Sequence, residues 1–512
     1  MAVEKPLAPV DIGPRPVETP EENKVEVEVV NPEAVSIETP DGGMIIDFGK
    51  DEEEATADFD SNLAEFIEDD ELDKLANELL SNFKSDQQSR DEWAKSYVKG
   101  LDLLGMKIEE RQQPWAGSSG VFHPVLTESI VRFQAQAMGE IFPAQGPVRT
   151  KTVGKISREK TEQAKRVEDE MNYLLTEEMT EYRDETEQML FKLPLAGSAF
   201  KKVYYDPLLE RPCAMFVPAE DFVVSYGASD LMTCERYTHV MKKTQNEVLK
   251  LQNNGFYRDV ELPEPEPEYS DIQEKYDDLD GESATLEDDD RHTLLEMHTD
   301  IELPEPFEEE DGIARPYVVT IEKSSRTILA IRRNFYEDDA KKKKRQFFVH
   351  YKYLPGLGFY GTGLIHLIGG LAKSATSILR QLIDAGTLSN LPAGLKARGL
   401  RIKGDDSPLM PGEFRDVDVP GGAIRDAITF IPYKEPSSVL YQLLQNIVDE
   451  GRRIGSVADI QVGDINAQAP VGTTLALMER SMKVMSGVQA RLHAALKKEL
   501  RLLSFVVRDF MG

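Results

Sequence analysis

LPGLGFYGTGLIHLIGGLAKSATSILRQLIDAG, residues 354–386, carries a strand through a glycine turn into a helix, and its reading decides what kind of domain the chain builds. The turn is PGLGFYGTG (355–363), where Gly356, Gly358, Gly361 and Gly363 release the backbone from the usual steric limits. Beyond it Leu364, Leu367, Ile368, Leu371, Ala375, Ile378, Leu379 and Leu382 recur at three- and four-residue spacing, which predicts a helix over 364–385. Before it, RQFFVHYKYLP (345–355) has the β-branched and aromatic content of a strand.

Working outward, residues 386–436 are Gly/Pro-rich, with room for short strands only. Two helices then follow, at 437–454 and 473–510. In the second, Leu475, Met478, Met482, Met485, Leu492, Leu496 and Leu503 form a near-heptad seam broken at Gln489 and Glu499. An incomplete seam of this kind suits packing against neighbours. Upstream, YVVTIEKSSRTILAIRRNF (317–335) reads as a hairpin turning at Lys-Ser-Ser-Arg, and residues 196–207, 213–226 and 236–243 as strands followed by a helix at 245–253. Helices are also expected from residue 63 onward, after Pro124, and as one long element over 157–190 capped by Ser157. The fold class is therefore α+β, predominantly helical.

Composition bounds the function. The 60 Lys+Arg against 92 Asp+Glu leave a net charge of −32, unsuited to a protein whose main surface clamps phosphates and suited to one past which DNA slides. Residues 1–75 hold 23 acidic and 5 basic side chains, so residues 1–60 are expected to be a disordered acidic tail. Residues 259–311, with ELPEPEPE and ELPEPFEEE at their ends, are expected to form an acidic loop or protrusion with a strand at 294–299. Two cysteines, Cys213 and Cys234, argue against a disulfide framework and for folding in a reducing compartment. No apolar run reaches about 18 residues, and the first ten residues lack the pattern of a secretory signal.

Catalytic signatures are sparse. GLGFYG (356–361) matches G-x-G-x-x-G with Asp384 downstream, but Pro355 adjoins it and no second strand–helix alternation follows, so a structural turn is expected in place of a dinucleotide site. The seven histidines pair with no other His or Cys at metal-ligand spacing, and His292 and His298 fall in what reads as a solvated acidic segment. There is no phosphate-binding loop, nucleophile elbow or zincin motif. The expectation is no catalytic residue, no cofactor and no metal. The basic run Lys341, Lys342, Lys343, Lys344 and Arg345 either solubilises a loop or docks an acidic partner.

Taken in order, four stretches resemble the portal (head-to-tail connector) proteins of tailed bacteriophages, the podovirus type above all. They are SSGVFHPVLTESIVRFQAQAMGEIFP, GSAFKKVYYDP with FVPAEDFVV, residues 354–386, and IPYKEPSSVLYQLLQNIVDEGRRIGSVADIQVGDINAQAPVGTTLALMERSMKVMSGVQARLHAALKKEL. The resemblance spans roughly residues 60–510. It implies a non-enzymatic ring of subunits, usually twelve, at a capsid vertex of the virion. Double-stranded DNA would pass non-specifically through its channel, and terminase large subunit, tail adaptor, major capsid and scaffolding proteins would be its partners, with no membrane. It also implies a wing over 61–258, a clip over 312–360 and a stem helix over 361–386. Residues 387–455 would return to the wing, 456–472 would be a tunnel loop and 473–512 a last wing helix, with the crown short or missing. Within the tunnel loop Asp459, Gln461, Asp464, Asn466 and Gln468 are the channel candidates; residues 387–411 are the rival loop. Lys341–Arg345 would dock the motor or adaptor, and the four turn glycines would admit the chain to the stem helix.

Overall fold

A computed structural model describes residues 58–511, apart from 108–109, 116, 153, 266–268, 283–290, 309–311, 391–393, 397–400, 403–416, 419–427, 431–432 and 456–470, together with strand residues 35–38 and 44–47. Between 391 and 432, and between 471 and 486, only the backbone course of strands and helix is described. The chain divides into two units, residues 1–58 and 59–512. In the first, β1 (Val35–Glu38) pairs antiparallel with β2 (Met44–Asp47) inside the segment expected to be a disordered tail; residues 1–34, 39–43 and 48–57 of that segment lie outside the described residues.

The second unit mixes helix and sheet, as expected. It opens with α1 (Asp69–Gln88), α2 (Asp91–Leu101), α3 (Val125–Ile141), α4 (Arg158–Tyr173) and α5 (Tyr182–Ala196). Leu72, Ala76, Leu79 and Phe83 are the buried stripe of α1. The single helix expected over 157–190 is in fact two. Ser157 caps α4 as expected, accepting from the Lys160 amide at 3.3 Å. A five-residue π turn at Leu174–Glu178 then closes through the Met179 amide to the Leu174 carbonyl at 2.8 Å, and the chain leaves the helix before α5. The turn brings Leu175, Met179 and Tyr182 into one core with Val203, Ala214 and Leu503, which a straight helix of that length does not do.

Strands β3 (Ser198–Asp206), β4 (Arg211–Pro218), β5 (Phe222–Val224) and β6 (Arg236–Thr244) follow; then come α6 (Gln245–Asn253), started by a Thr244/Glu247 capping box, and α7 (Asp271–Asp280). Strands β7 (Arg291–Ile301), β8 (Arg315–Glu322), β9 (Ile328–Arg333) and β10 (Phe348–Lys352) complete two antiparallel sheets, ordered β10-β3-β4 and β5-β6-β7-β8-β9. Residues 259–311 thus differ from the expected loop: β7 is the middle strand of the larger sheet, with Leu294, Leu295 and Met297 fully buried. The strand expected at 294–299 is present and runs longer, with apolar inward positions. The β-rich stretch 312–360 is also not one unit. Its hairpin β8–β9 extends the larger sheet, whereas β10 pairs with β3, Phe348 opposite Lys202, because Phe348, Val349 and Tyr351 complete cores on that side.

Helix α8 (Leu364–Asn390) is followed by β11 (Gly394–Lys396), β12 (Arg401–Ile402), β13 (Val417–Asp418) and β14 (Ile428–Phe430), then by α9 (Ser438–Ile454) and α10 (Val471–Phe510). The main core gathers α2, α3, α5, α8 and α10 against β3 and β10, with Leu126, Ile130, Leu190, Leu364 and Ile368 at its centre.

Charged groups stitch the two sheets together. Lys202 on β3 pairs with Glu296 on β7, whose other oxygen bonds His298 at 3.0 Å; Tyr237, Phe348 and His239 surround them. Burial pushes Glu296 up, but Lys202 and His298 outweigh it and hold the carboxyl well below its usual range. Burial above all, then Lys202, pushes His239 down to about 3, and burial also lowers His298. A histidine kept neutral in the fold but protonated near 6.5 when unfolded contributes fully above that pH and loses its contribution as pH falls towards 3, by about 1.4 kcal/mol per unit. His298 acts in the same sense, while Asp221, raised to about 7 chiefly by burial, acts in the opposite one. The stability difference between wild type and His239→Gln is therefore expected to narrow progressively from pH 6.5 to 4.5 in urea titrations. A difference that stays constant over that interval rules this account out.

Candidate functional site

The segment that opened the sequence analysis meets the rest of the molecule at its glycines. In each case a side chain would occupy space that backbone already fills. A Cβ on Gly361 would lie 2.2 Å from the Gly197 carbonyl oxygen, one on Gly363 2.2 Å from that of Leu195, and one on Gly356 2.2 Å from that of Tyr360. Gly358 meets nothing. The turn's amides are also engaged: Gly361 donates to Ser198 Oγ at 2.7 Å and Thr362 to the Leu354 carbonyl at 2.9 Å. Tyr360 and Trp93 flank the Arg90 guanidinium, which donates to the carbonyls of Ala219, Glu220 and Phe222 and to the Tyr360 hydroxyl at 2.7–2.9 Å. The motif that matches a dinucleotide fingerprint packs closely against backbone at Gly361, whose amide is directed at Ser198.

From this joint α8 runs outward and α9 runs back beside it. Ala375, Ile378, Leu379 and Leu382 pack against Leu444, Ile447 and Val448, and Gly386 lies beside Pro436. Between the two helices the chain makes a narrow antiparallel ribbon, with Gly394 opposite Phe430 and Ile402 opposite Val417. One stripe of α8 holds the loop before α3: Thr376 Oγ1 accepts from the His123 amide at 3.0 Å and Asp384 from the Ser119 amide at 2.8 Å, and Arg380 donates to the Val121 carbonyl at 2.8 Å. Asp384, the residue a dinucleotide site would need for ribose, thus fastens a loop. At the return end Gly451 and Gly455 sit against Val125 and Ser129 on α3, and Arg452 pairs with Glu128 at 3.2 Å. The 376/380/384 spacing was visible as one helical face, but nothing in it named the loop as its partner.

The pair is incompletely covered. Val439 (69% exposed), Tyr441 (54%), Leu443 (44%) and Ile383 (40%) face away from the helix beside them. In α10 the two polar breaks in the seam are explained. Glu499 is buried against Lys201 and Tyr351, and Gln489 bonds Glu140 on α3.

The basic run is largely spent within the protomer. Lys344 pairs with Asp300 at 3.1 Å and donates to the Cys234 carbonyl at 2.8 Å; Arg345 stacks on Tyr336 and Lys342 on Phe335. Lys341 and Lys343 are exposed. Asp459, Gln461, Asp464, Asn466 and Gln468 lie outside the described residues. Among the described residues no helix is long and apolar enough to cross a membrane, and no group of three or more His, Cys, Asp or Glu is placed to hold a metal.

No curated protein matches the chain. A family model described as the phage SU10 portal protein matches residues 144–463, from the segment preceding α4 through the sheets, the glycine joint, the helical pair and its ribbon. That match takes in more than half of the sequence, including the glycine joint and the helical pair, and the chain belongs to this family of phage portal proteins.

Proposed function

We propose that the protein acts as a ring subunit at a capsid vertex, a non-enzymatic channel for packaging, retaining and ejecting double-stranded DNA. Twelve copies is the number the resemblance implies. The observation that carries the reading is the outward apolar face of the α8/α9 pair: large side chains on helices that are already paired within the protomer call for a further partner, and copies of the same pair supply it. Such a contact is heterologous and closes into a ring when its rotation divides a full turn.

Within this reading α8 is the stem helix and α9 its return. The clip-like role moves from 312–360, whose strands belong to the body, to the ribbon spanning Gly394 to Phe430, which lies between the two helices. Terminase and the tail adaptor would dock there, and major capsid and scaffolding proteins would contact the wing, residues 61–258. The 456–472 segment, leaving α9 at a point fixed on α3, keeps the tunnel-loop role, with Asp459, Gln461, Asp464, Asn466 and Gln468 denying phosphates a counter-charge. Lys341 and Lys343 remain as the basic run's exposed contribution to a partner contact.

Mass photometry and negative-stain microscopy of the purified chain test this directly. Annular particles of uniform mass are expected, and Val439→Asp/Leu443→Asp is expected to disperse them while leaving the circular dichroism spectrum unchanged. A wild-type preparation that is monomeric at every concentration rejects the ring and leaves a free-standing acidic adaptor.

A further inference from the structure

Besides the run at Lys341–Arg345, basic charge gathers in one further stretch of this acidic chain. Residues 149–166 have a net charge of +5, with Arg149, Lys151, Lys155, Lys160, Lys165 and Arg166 all exposed. Arg158 is engaged with Glu162 at 2.8 Å. The stretch covers the chain before α4 and its first two turns, and Ile156 (76% exposed) and Val167 (43%) stand among the charges. Helix α4 buries Met171 alone, so almost its whole surface is offered outward.

A complementary feature hangs on the other sheet. A groove of about 850 Å³ lies between the first half of α1 and the segment leaving β7, floored by Phe66, Leu75 and Leu303 and rimmed by Glu68, Glu71, Glu78, Glu302, Glu305 and Glu308. Among the described residues Glu71 pairs with Lys74, which also lines the groove.

Resting on the ring reading, we infer that α4 and the segment before it in one copy seat in the acidic groove of the next copy, making a second subunit contact besides the helical pair. One protomer carries the two features on different sheets, as a head-to-tail interface requires. The apolar floor matches Ile156 and Val167, and the charges match in sign. Nucleic acid is the less favoured occupant of the basic face. Glu159 and Glu162 interrupt it within one turn, and two exposed apolar side chains add nothing to phosphate binding.

Charge reversal with rescue tests the pairing, scored by annuli in negative stain at about 150 mM salt, where the screening length is about 8 Å. The variant Lys155→Glu/Lys160→Glu/Lys165→Glu is expected to lower the yield of annuli at least about tenfold, as is Glu68→Lys/Glu71→Lys/Glu78→Lys, since facing like charges repel. One chain carrying both sets is expected to regain them, because each reversed surface again meets its opposite. Reversals that leave annulus yield unchanged while wild type forms rings overturn this contact and leave the ring standing. A double set that fails to recover while each protein keeps its wild-type circular dichroism spectrum overturns it equally. A basic-face variant that assembles normally but no longer retards a DNA duplex in a gel transfers the face to nucleic acid. Wild type forming no annuli removes the ring itself.

Discussion

Glu499→Ala is expected to lower the stability of the folded body by about 3–5 kcal/mol, read as a fall in the urea midpoint at unchanged slope, because it strands a buried charge. Lys201 and Glu499 are 0% and 1% exposed, with Nζ and Oε1 3.6 Å apart. The Tyr351 hydroxyl donates to the other carboxylate oxygen, Lys201 donates to Thr186 Oγ1 at 2.8 Å, and its ammonium lies 4.0 Å from the centre of the Tyr182 ring. These groups join α10 to β3, β10 and α5, so the last helix is held in register by one pair of charges. Burial lowers the Lys201 pKa and Glu499 opposes that shift, which leaves the lysine dependent on its partner. The double variant Lys201→Met/Glu499→Leu is expected to recover most of the loss, since an apolar pair of similar volume carries no desolvation penalty. A single substitution costing less than about 1 kcal/mol contradicts this account.

Gly363→Ala is the second large effect. A methyl 2.2 Å from the Leu195 carbonyl oxygen and 2.6 Å from the Gly197 amide nitrogen faces backbone on both sides, and backbone cannot rotate away as a side-chain tip can. A loss of about 3 kcal/mol or more is expected, at or beyond the upper end for overpacked sites, seen as insoluble expression or a collapsed thermal midpoint. Gly361→Ala is expected to behave alike. Gly358→Ala, with open space around it, should stay within about 0.5 kcal/mol of wild type, as surface substitutions do. If all three variants behave alike, the joint does not depend on close backbone approach.

Much of the fold was legible because period and punctuation agreed. The helix after the glycine turn, the β8–β9 hairpin, the Ser157 cap and the capped helix at 245–253 follow from local rules, and each is present. Other features were hidden for a shared reason: they depend on residues far away in sequence. The split between α4 and α5 is set by a core including Val203 and Leu503, which local apolar spacing does not reveal. Strand β7 was expected over 294–299, but its place in the middle of the larger sheet depends on pairing with β6 and β8, which the acid-rich flanks do not announce. Lys344 looked like one more surface lysine, yet Asp300 on β7 and the Cys234 carbonyl just before β6, both distant in sequence, draw it inward. Glu499 and Gln489 read as flaws in a seam, because a polar residue on an apolar face shows its partner only when the fold is known.

The out-and-back course of α8, the ribbon and α9 bears on how such a chain diversifies. It departs from the body at a joint packed backbone to backbone and rejoins it where Gly451 and Gly455 meet α3, so both ends are fixed by contacts that do not involve the tip. Lineages can lengthen, shorten or exchange the distal ribbon without disturbing the architecture behind it, and descendants that recruit a different attachment apparatus need to rewrite only a few dozen codons.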